Sequence, residues 1–162
     1  MEKNVSVLIK NNLIAIVFHI FLCLVAYCLV SLGTLLKVNM LISLLAALVF
    51  GIIFLFLYFW VGKKFLNNTQ NALADYLSVV GLFILLIASL FVVNGLANFP
   101  IQAVFWIVCE GFQMSYGEMA SLLNNIILAS MPSYMMWMGL LVKRKKAGLN
   151  ENEFQKNENF ND

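Results

Sequence analysis

Few side chains in this sequence could act as acids, bases or nucleophiles. The strongest candidates for acid and base chemistry are two carboxylates. Glu110 and Glu118 are eight positions apart, so on a helix they would be separated by about 80° and could share a broad face. Two such carboxylates could divide general acid and general base work between them. The alternative, which we favour, is that both are solvated charges at the rim of a helix lying on a membrane.

His19 is the only histidine, and it shares a four-residue spacing with Ala15 and Cys23. This spacing places the three residues on one face of a helix. An ionisable residue at membrane depth usually faces the bundle interior, where it could handle protons or a metal ion. Because no acidic residue lies at that depth, we favour a neutral imidazole bonded to a Ser, an Asn or a backbone carbonyl of another helix.

Soft metal ligands are present, but their spacing does not favour a metal site. Four methionines cluster near Trp137: Met131, Met135, Met136 and Met138. With Cys23 and His19 they contain the donor types of a copper(I) site, but the adjacent Met135 and Met136 point in different directions on a helix. The three cysteines form no C-x-x-C pair. The sequence therefore predicts no metal, no cofactor and no disulfide framework.

The composition indicates a membrane protein. Hydrophobic residues make up 62% of the 162 residues, charged residues 11%, and the mean hydropathy is +0.90. Lys37 is the only charged residue between Asn11 and Trp60, and none occurs from Tyr76 to Cys109. Such runs have no polar face for water, so they are typical of membrane spans.

Four apolar runs reach the roughly 20 residues that a bilayer core requires. They predict spans at about 13–32, 40–61, 77–96 and 122–142. The predicted fold class is an all-α integral membrane protein, a four-transmembrane-helix bundle with a short extracytoplasmic amphipathic or re-entrant helix between helices 3 and 4. The membrane domain is then 1–142, followed by a basic and then disordered cytoplasmic tail, 143–162.

The basic residues predict the orientation of this bundle. In a four-span arrangement, Lys37 lies alone on one side, and nine basic residues share the other: Lys3, Lys10, Lys63, Lys64, Lys143, Arg144, Lys145, Lys146 and Lys156. Basic residues collect on the cytoplasmic side, so both termini are predicted to be cytoplasmic in a plasma (inner) membrane. The run Lys143, Arg144, Lys145 and Lys146 is predicted to lie at the lipid headgroups as an anchor.

The segment between the third and fourth spans is predicted to form an external cap. Pro100 should end the third helix, and the apolar piece that follows is too short to cross the bilayer. Helical spacing of apolar residues predicts an interfacial helix at about 101–116. Its candidate recognition residues are Trp106, Glu110, Tyr116 and, just beyond, Glu118.

Small and polar residues predict how the spans pack. Ser43, Ala47 and Gly51 form a small-residue seam at four-residue spacing on the second span, which would let another helix approach closely. A polar bundle interior or pathway is predicted from five side chains: His19, Asn94, Asn98, Asn125 and Ser133.

Three functions are compatible with these residues. The first is a non-enzymatic interaction protein: an accessory subunit of a membrane complex, or a protective or immunity-type factor. The second is a small oligomeric transporter or channel, and the third a membrane-embedded enzyme using Glu110 and Glu118. Expected partners are the lipid bilayer and another membrane protein or a second copy, not nucleic acid. Nine lysines against one arginine, with 16 asparagines, favour a low-GC bacterial source.

Overall fold

The computed structural model describes residues 2–36, 39–69, 71–92 and 122–148. The regular structure of these residues is α-helical, and they contain no strand. We number the helices in chain order: α1 Glu2–Leu35, α2 Met40–Lys64, α3 Ala72–Leu77, α4 Val80–Val92 and α5 Leu122–Lys146.

Three of these helices are long and apolar enough to cross a membrane: Val5–Gly33 within α1, Met40–Lys64, and Ile126–Lys146 within α5. The predicted all-helical class is thereby confirmed for the described residues, and the three long apolar helices suggest a membrane location. The predicted spans 13–32, 40–61 and 122–142 fall inside α1, α2 and α5.

The predicted third span, 77–96, is described only as far as Val92. Its described part belongs to a shorter apolar stretch, Ala72–Ala88, and to the rest of α4. Residues 93–96, the predicted interfacial helix 101–116 and the tail from residue 149 lie outside the described residues. The fourth crossing and the external helix therefore stay predictions.

Two helices extend beyond the apolar runs that predict them. α1 begins at Glu2 rather than at Leu13, and α5 continues through the four basic residues to Lys146. A helix bonds its own backbone groups, so it need not end where the hydrocarbon ends. The added turns carry Asn11 and Arg144 into contact with the rest of the protein, as described below.

α2 and α5 form the most extensive helix pair, and glycines permit their close approach. A Cβ atom on Gly62 would overlap the backbone of Met136, 2.7 Å from its carbonyl carbon. A Cβ on Gly139 would lie 2.7 Å from the backbone nitrogen of Lys63. In lipid, small residues provide the close backbone contact that drives helix association.

The remaining helices pack around this pair, with α4 against α5 and α1 against α4. One buried core contains residues of α1, α2, α4 and α5 and of the connections before and after α3: Ala15, Leu22, Ala26, Phe54, Tyr58, Val61, Leu66, Val79, Leu82, Leu86, Ala129, Met136 and Leu140. Of the predicted seam, Ala47 is buried, whereas Ser43 and Gly51 are half-buried. A close backbone contact of α2 lies near its other end, at Gly62, and the role of the predicted seam stays a prediction.

We expect Gly139→Ala to lower the free energy of unfolding by about 1–3 kcal/mol, because the added methyl group forces two backbones apart. Gly33→Ala is the matched control, since a Cβ there meets no described atom within 4 Å. Reversible unfolding in mixed detergent micelles, followed by circular dichroism, measures both. Equal stability of the two variants would contradict a close contact of α2 and α5 at Gly139.

Candidate functional site

A buried ion pair joins the short helix α3 to the end of α5. The Nε atom of Arg144 donates to Oδ2 of Asp75 at 2.8 Å, and the two side chains are 1% and 0% exposed. Charges removed from water are stable only when they are paired and hydrogen-bonded. The contact therefore fixes the position of α3 against α5.

The loop between α2 and α3 supplies the other partners of this ion pair. Oδ1 of Asp75 accepts from the backbone N–H of Thr69 at 2.6 Å and lies 2.9 Å from the Thr69 hydroxyl. Oδ2 also accepts from Nδ2 of Asn68 at 2.9 Å. Nη2 of Arg144 donates to the Thr69 carbonyl at 2.9 Å. Both carboxylate oxygens are therefore engaged, and the loop wraps the ion pair.

α1 contacts the loop after α2 and the start of α4 through two neighbouring asparagines. The Asn11 side chain pairs with the backbone of Asn67, accepting from its N–H at 3.1 Å and donating to its carbonyl at 2.8 Å. Nδ2 of Asn11 also lies 3.1 Å from the Ser78 hydroxyl. Asn12 accepts from the N–H of Gly81 at 2.8 Å, in the first turn of α4. Amide side chains thus attach α1 to the loop and to α4.

This arrangement follows from burial of the loop backbone. Leu66 is fully buried and Thr69 nearly so, and buried backbone groups require hydrogen-bond partners. The Leu66 carbonyl accepts from Nζ of Lys143, and Nδ2 of Asn68 donates to the Leu140 carbonyl at 3.0 Å. We call six polar side chains of this region, all buried except the half-buried Asn68, the polar cluster: Asn11, Asn68, Thr69, Asp75, Ser78 and Arg144.

The hydrogen bonds of the polar cluster hold helices and the loop together. Its charged and amide groups bond to one another, so a substrate would reach them only if the cluster opened. A buried ion pair adds little net stability over an apolar contact, but an incomplete pair costs several kcal/mol. The cluster therefore favours one arrangement of α1 at Asn11, the loop after α2, the short helix α3 and the end of α5.

A second polar contact lies deeper, within the apolar spans. Nδ1 of His19 is 2.7 Å from the hydroxyl of Tyr58 on α2, and Nε2 is 3.4 Å from Sγ of Cys23. His19 and Tyr58 are buried, and Cys23 is half-buried. We call these three side chains the Cys23–His19–Tyr58 row. The imidazole can pass a proton along this row, because each ring nitrogen can donate or accept.

His19 is buried, as an inward position requires, and its contacts include the Tyr58 hydroxyl and the Cys23 thiol, which were not among the expected partners. Tyr58 was not considered as a partner because a tyrosine within a hydrophobic run is usually counted as an apolar residue. Among the described residues, no group of three His, Cys, Asp or Glu side chains could hold a metal ion.

Other predicted site residues are only partly described. Ser133 is buried, and its hydroxyl has no hydrogen-bond partner among the described residues. Asn125 belongs to the first turns of α5. Six predicted residues lie outside the described part of the chain, so their proposed roles stay predictions: Asn94, Asn98, Trp106, Glu110, Tyr116 and Glu118.

The four basic residues predicted at the lipid headgroups divide into two pairs. Arg144 is buried on Asp75, and Lys143 bonds the Leu66 carbonyl. Lys145 and Lys146 are exposed. The sequence analysis assigned all four residues the same role at the headgroups, because positive charge beside an apolar span is typical of an anchor.

Sequence reasoning also missed Asp75, although two signals point to it. It is the only acidic residue between Glu2 and Glu110, and Arg144 is the only arginine in the chain. Arginine is the residue suited to buried ion pairs with a carboxylate. A single acid and a single arginine, each beside an apolar run, thus predict a buried ion pair.

No known protein family, curated protein or solved structure matches this chain.

We expect Asp75→Asn and Arg144→Gln each to lower the free energy of unfolding by about 3–5 kcal/mol, because each leaves a buried charge without its partner. The double variant should lose less than the sum. Lys145→Gln makes the same change of charge on an exposed residue and should stay within about 0.5 kcal/mol of the parent. The free energies of unfolding of the parent, the single variants and the double variant, measured in mixed micelles, form a double-mutant cycle. Strictly additive losses of free energy would show that Asp75 and Arg144 are not coupled.

Proposed function

We propose that this protein is a small multi-pass plasma-membrane protein without enzymatic activity. It acts as an accessory or interaction subunit of a membrane complex, or as a protective, immunity-type factor. The observation that carries this proposal is the polar cluster, whose charged groups bond to one another, to Asn68 and to the Thr69 backbone. These groups stabilise the bundle, and recognition is left to its outer surface.

The outer faces of the helices offer that surface. Leu24 on α1, Ile52 on α2 and Ile84 on α4 are 61%, 70% and 60% exposed. Such side chains contact lipid or the helices of another membrane protein. In lipid, association depends on close packing rather than on the hydrophobic effect, so one bundle of this kind can dock against another.

The proposal includes an orientation and a fourth crossing. Both termini are cytoplasmic, and the external helix at 101–116 caps the opposite end. The concentration of Lys10, Lys63, Lys64, Lys145 and Lys146 near the ends joined by the polar cluster supports this orientation, because basic residues mark the cytoplasmic side.

Site-specific photo-crosslinking in the source cells tests the interaction role. A photoreactive residue at Leu24, Ile52 or Ile84 should yield a discrete adduct with another membrane protein at one position or more. The same residue at Leu22, which is 1% exposed, should give no such adduct. Lipid adducts alone at all three positions, with monomeric purification in mild detergent, would refute the proposal.

A second candidate function is a small oligomeric transporter or channel. The Cys23–His19–Tyr58 row favours it, because ionisable groups inside spans are typical of ion and proton pathways. This role also requires self-association, so a crosslinked product of twice the 18.3 kDa chain would favour it over the accessory role.

We expect His19→Gln and Tyr58→Phe to reduce proton or solute flux into reconstituted vesicles at least tenfold if the row conducts. Each variant breaks the 2.7 Å contact between imidazole and hydroxyl. Tyr27→Phe makes the same chemical change on an exposed tyrosine and should leave flux unchanged. Vesicles that pass nothing with the parent protein would exclude this second function.

A further inference from the structure

The basic run at the end of α5 contains two kinds of side chain. Lys143 and Arg144 face the protein, bonded to the Leu66 carbonyl and to Asp75. Lys145 and Lys146 are exposed. Lys143 is half-buried and Arg144 buried, so the second pair is the more accessible to a partner outside the chain.

Two exposed lysines from other helices lie near the same end of the bundle. Lys10 on α1 precedes Asn11, which bonds the backbone of Asn67. Lys64 ends α2, directly after the crossing of Gly62 with Met136. Both side chains are exposed. Helix ends distant in sequence are therefore held together by the polar cluster.

The exposed charges among the described side chains are of one sign. They are Lys10, Lys64, Lys145 and Lys146. Asp75, the acid whose side chain the structure describes, is 0% exposed and paired with Arg144. Its carboxylate is thus neutralised inside the protein and does not screen these lysines.

We propose that Lys10, Lys64, Lys145 and Lys146 form a lysine surface that binds the phosphate headgroups of anionic phospholipids in the adjoining leaflet. The spans fix the depth of these cations beside the bilayer surface, where anionic headgroups attract lysine. Each lysine increases the affinity about fivefold. The proposal requires the membrane location but not the accessory role, so either can fail without the other.

Native mass spectrometry of the solubilised full chain tests the lysine surface, with phosphatidylglycerol and phosphatidylcholine of identical acyl chains as probes. Lys145→Gln with Lys146→Gln should weaken phosphatidylglycerol binding about 25-fold. Added salt should weaken binding to the parent protein. Phosphatidylcholine binding should change in neither case.

A double variant of equal charge provides the control. Lys37→Gln with Lys143→Gln also removes two positive charges, but neither residue belongs to the lysine surface, so affinity should change less than twofold. If that variant does not fold, Lys37→Gln alone is compared with Lys64→Gln. An equal loss in variant and control would show that net charge alone attracts the lipid. Unchanged binding after all four substitutions, Lys10→Gln, Lys64→Gln, Lys145→Gln and Lys146→Gln, would also overturn the proposal.

Discussion

The buried contact between Asp75 and Arg144 determines how the ends of the helices meet. Water no longer solvates either charge, so the pair is stable only while the Asn68 amide and the backbone of Thr69 complete its hydrogen bonds. That requirement fixes the conformation of the loop after α2. The loop in turn presents the Asn67 backbone to Asn11. One ion pair thus connects segments from four helices.

The attachment of α1 differs in kind from that of α2 and α5. α2 and α5 meet backbone to backbone at Gly62 and Gly139, which is a packing contact between small residues. α1 is instead bonded through the amides of Asn11 and Asn12 and through the imidazole of His19. Hydrogen bonds have preferred directions and lengths, so they set the register of α1 along the bundle. Apolar contacts alone would allow it to slide.

The all-helical class and the three long apolar helices were predictable because length and hydropathy are local properties of the sequence. The inward position of His19 was predictable from its four-residue spacing. Its partner Tyr58 was not, because it belongs to another helix. The pairing of Asp75 with Arg144 was also missed, since the two are far apart in sequence and positional rules treat charges beside spans as solvated. The small-residue rule selected Ser43, Ala47 and Gly51 on α2 but not Gly62, beside two lysines, which approaches the Met136 backbone closely.

The ion pair also determines which charges face outward. Burying Asp75 with Arg144 removes one charge of each sign from the surface, so the net charge is unchanged while its distribution is altered. An exposed Asp75 would weaken the field of the neighbouring lysines, since charges within about 10 Å act on one another at moderate salt. With the carboxylate buried, Asp75 does not offset the positive charge of Lys10, Lys64, Lys145 and Lys146, which are the exposed charged residues among the side chains that the structure describes. The interaction that orders the interior therefore also removes one acid from the surface that these lysines form.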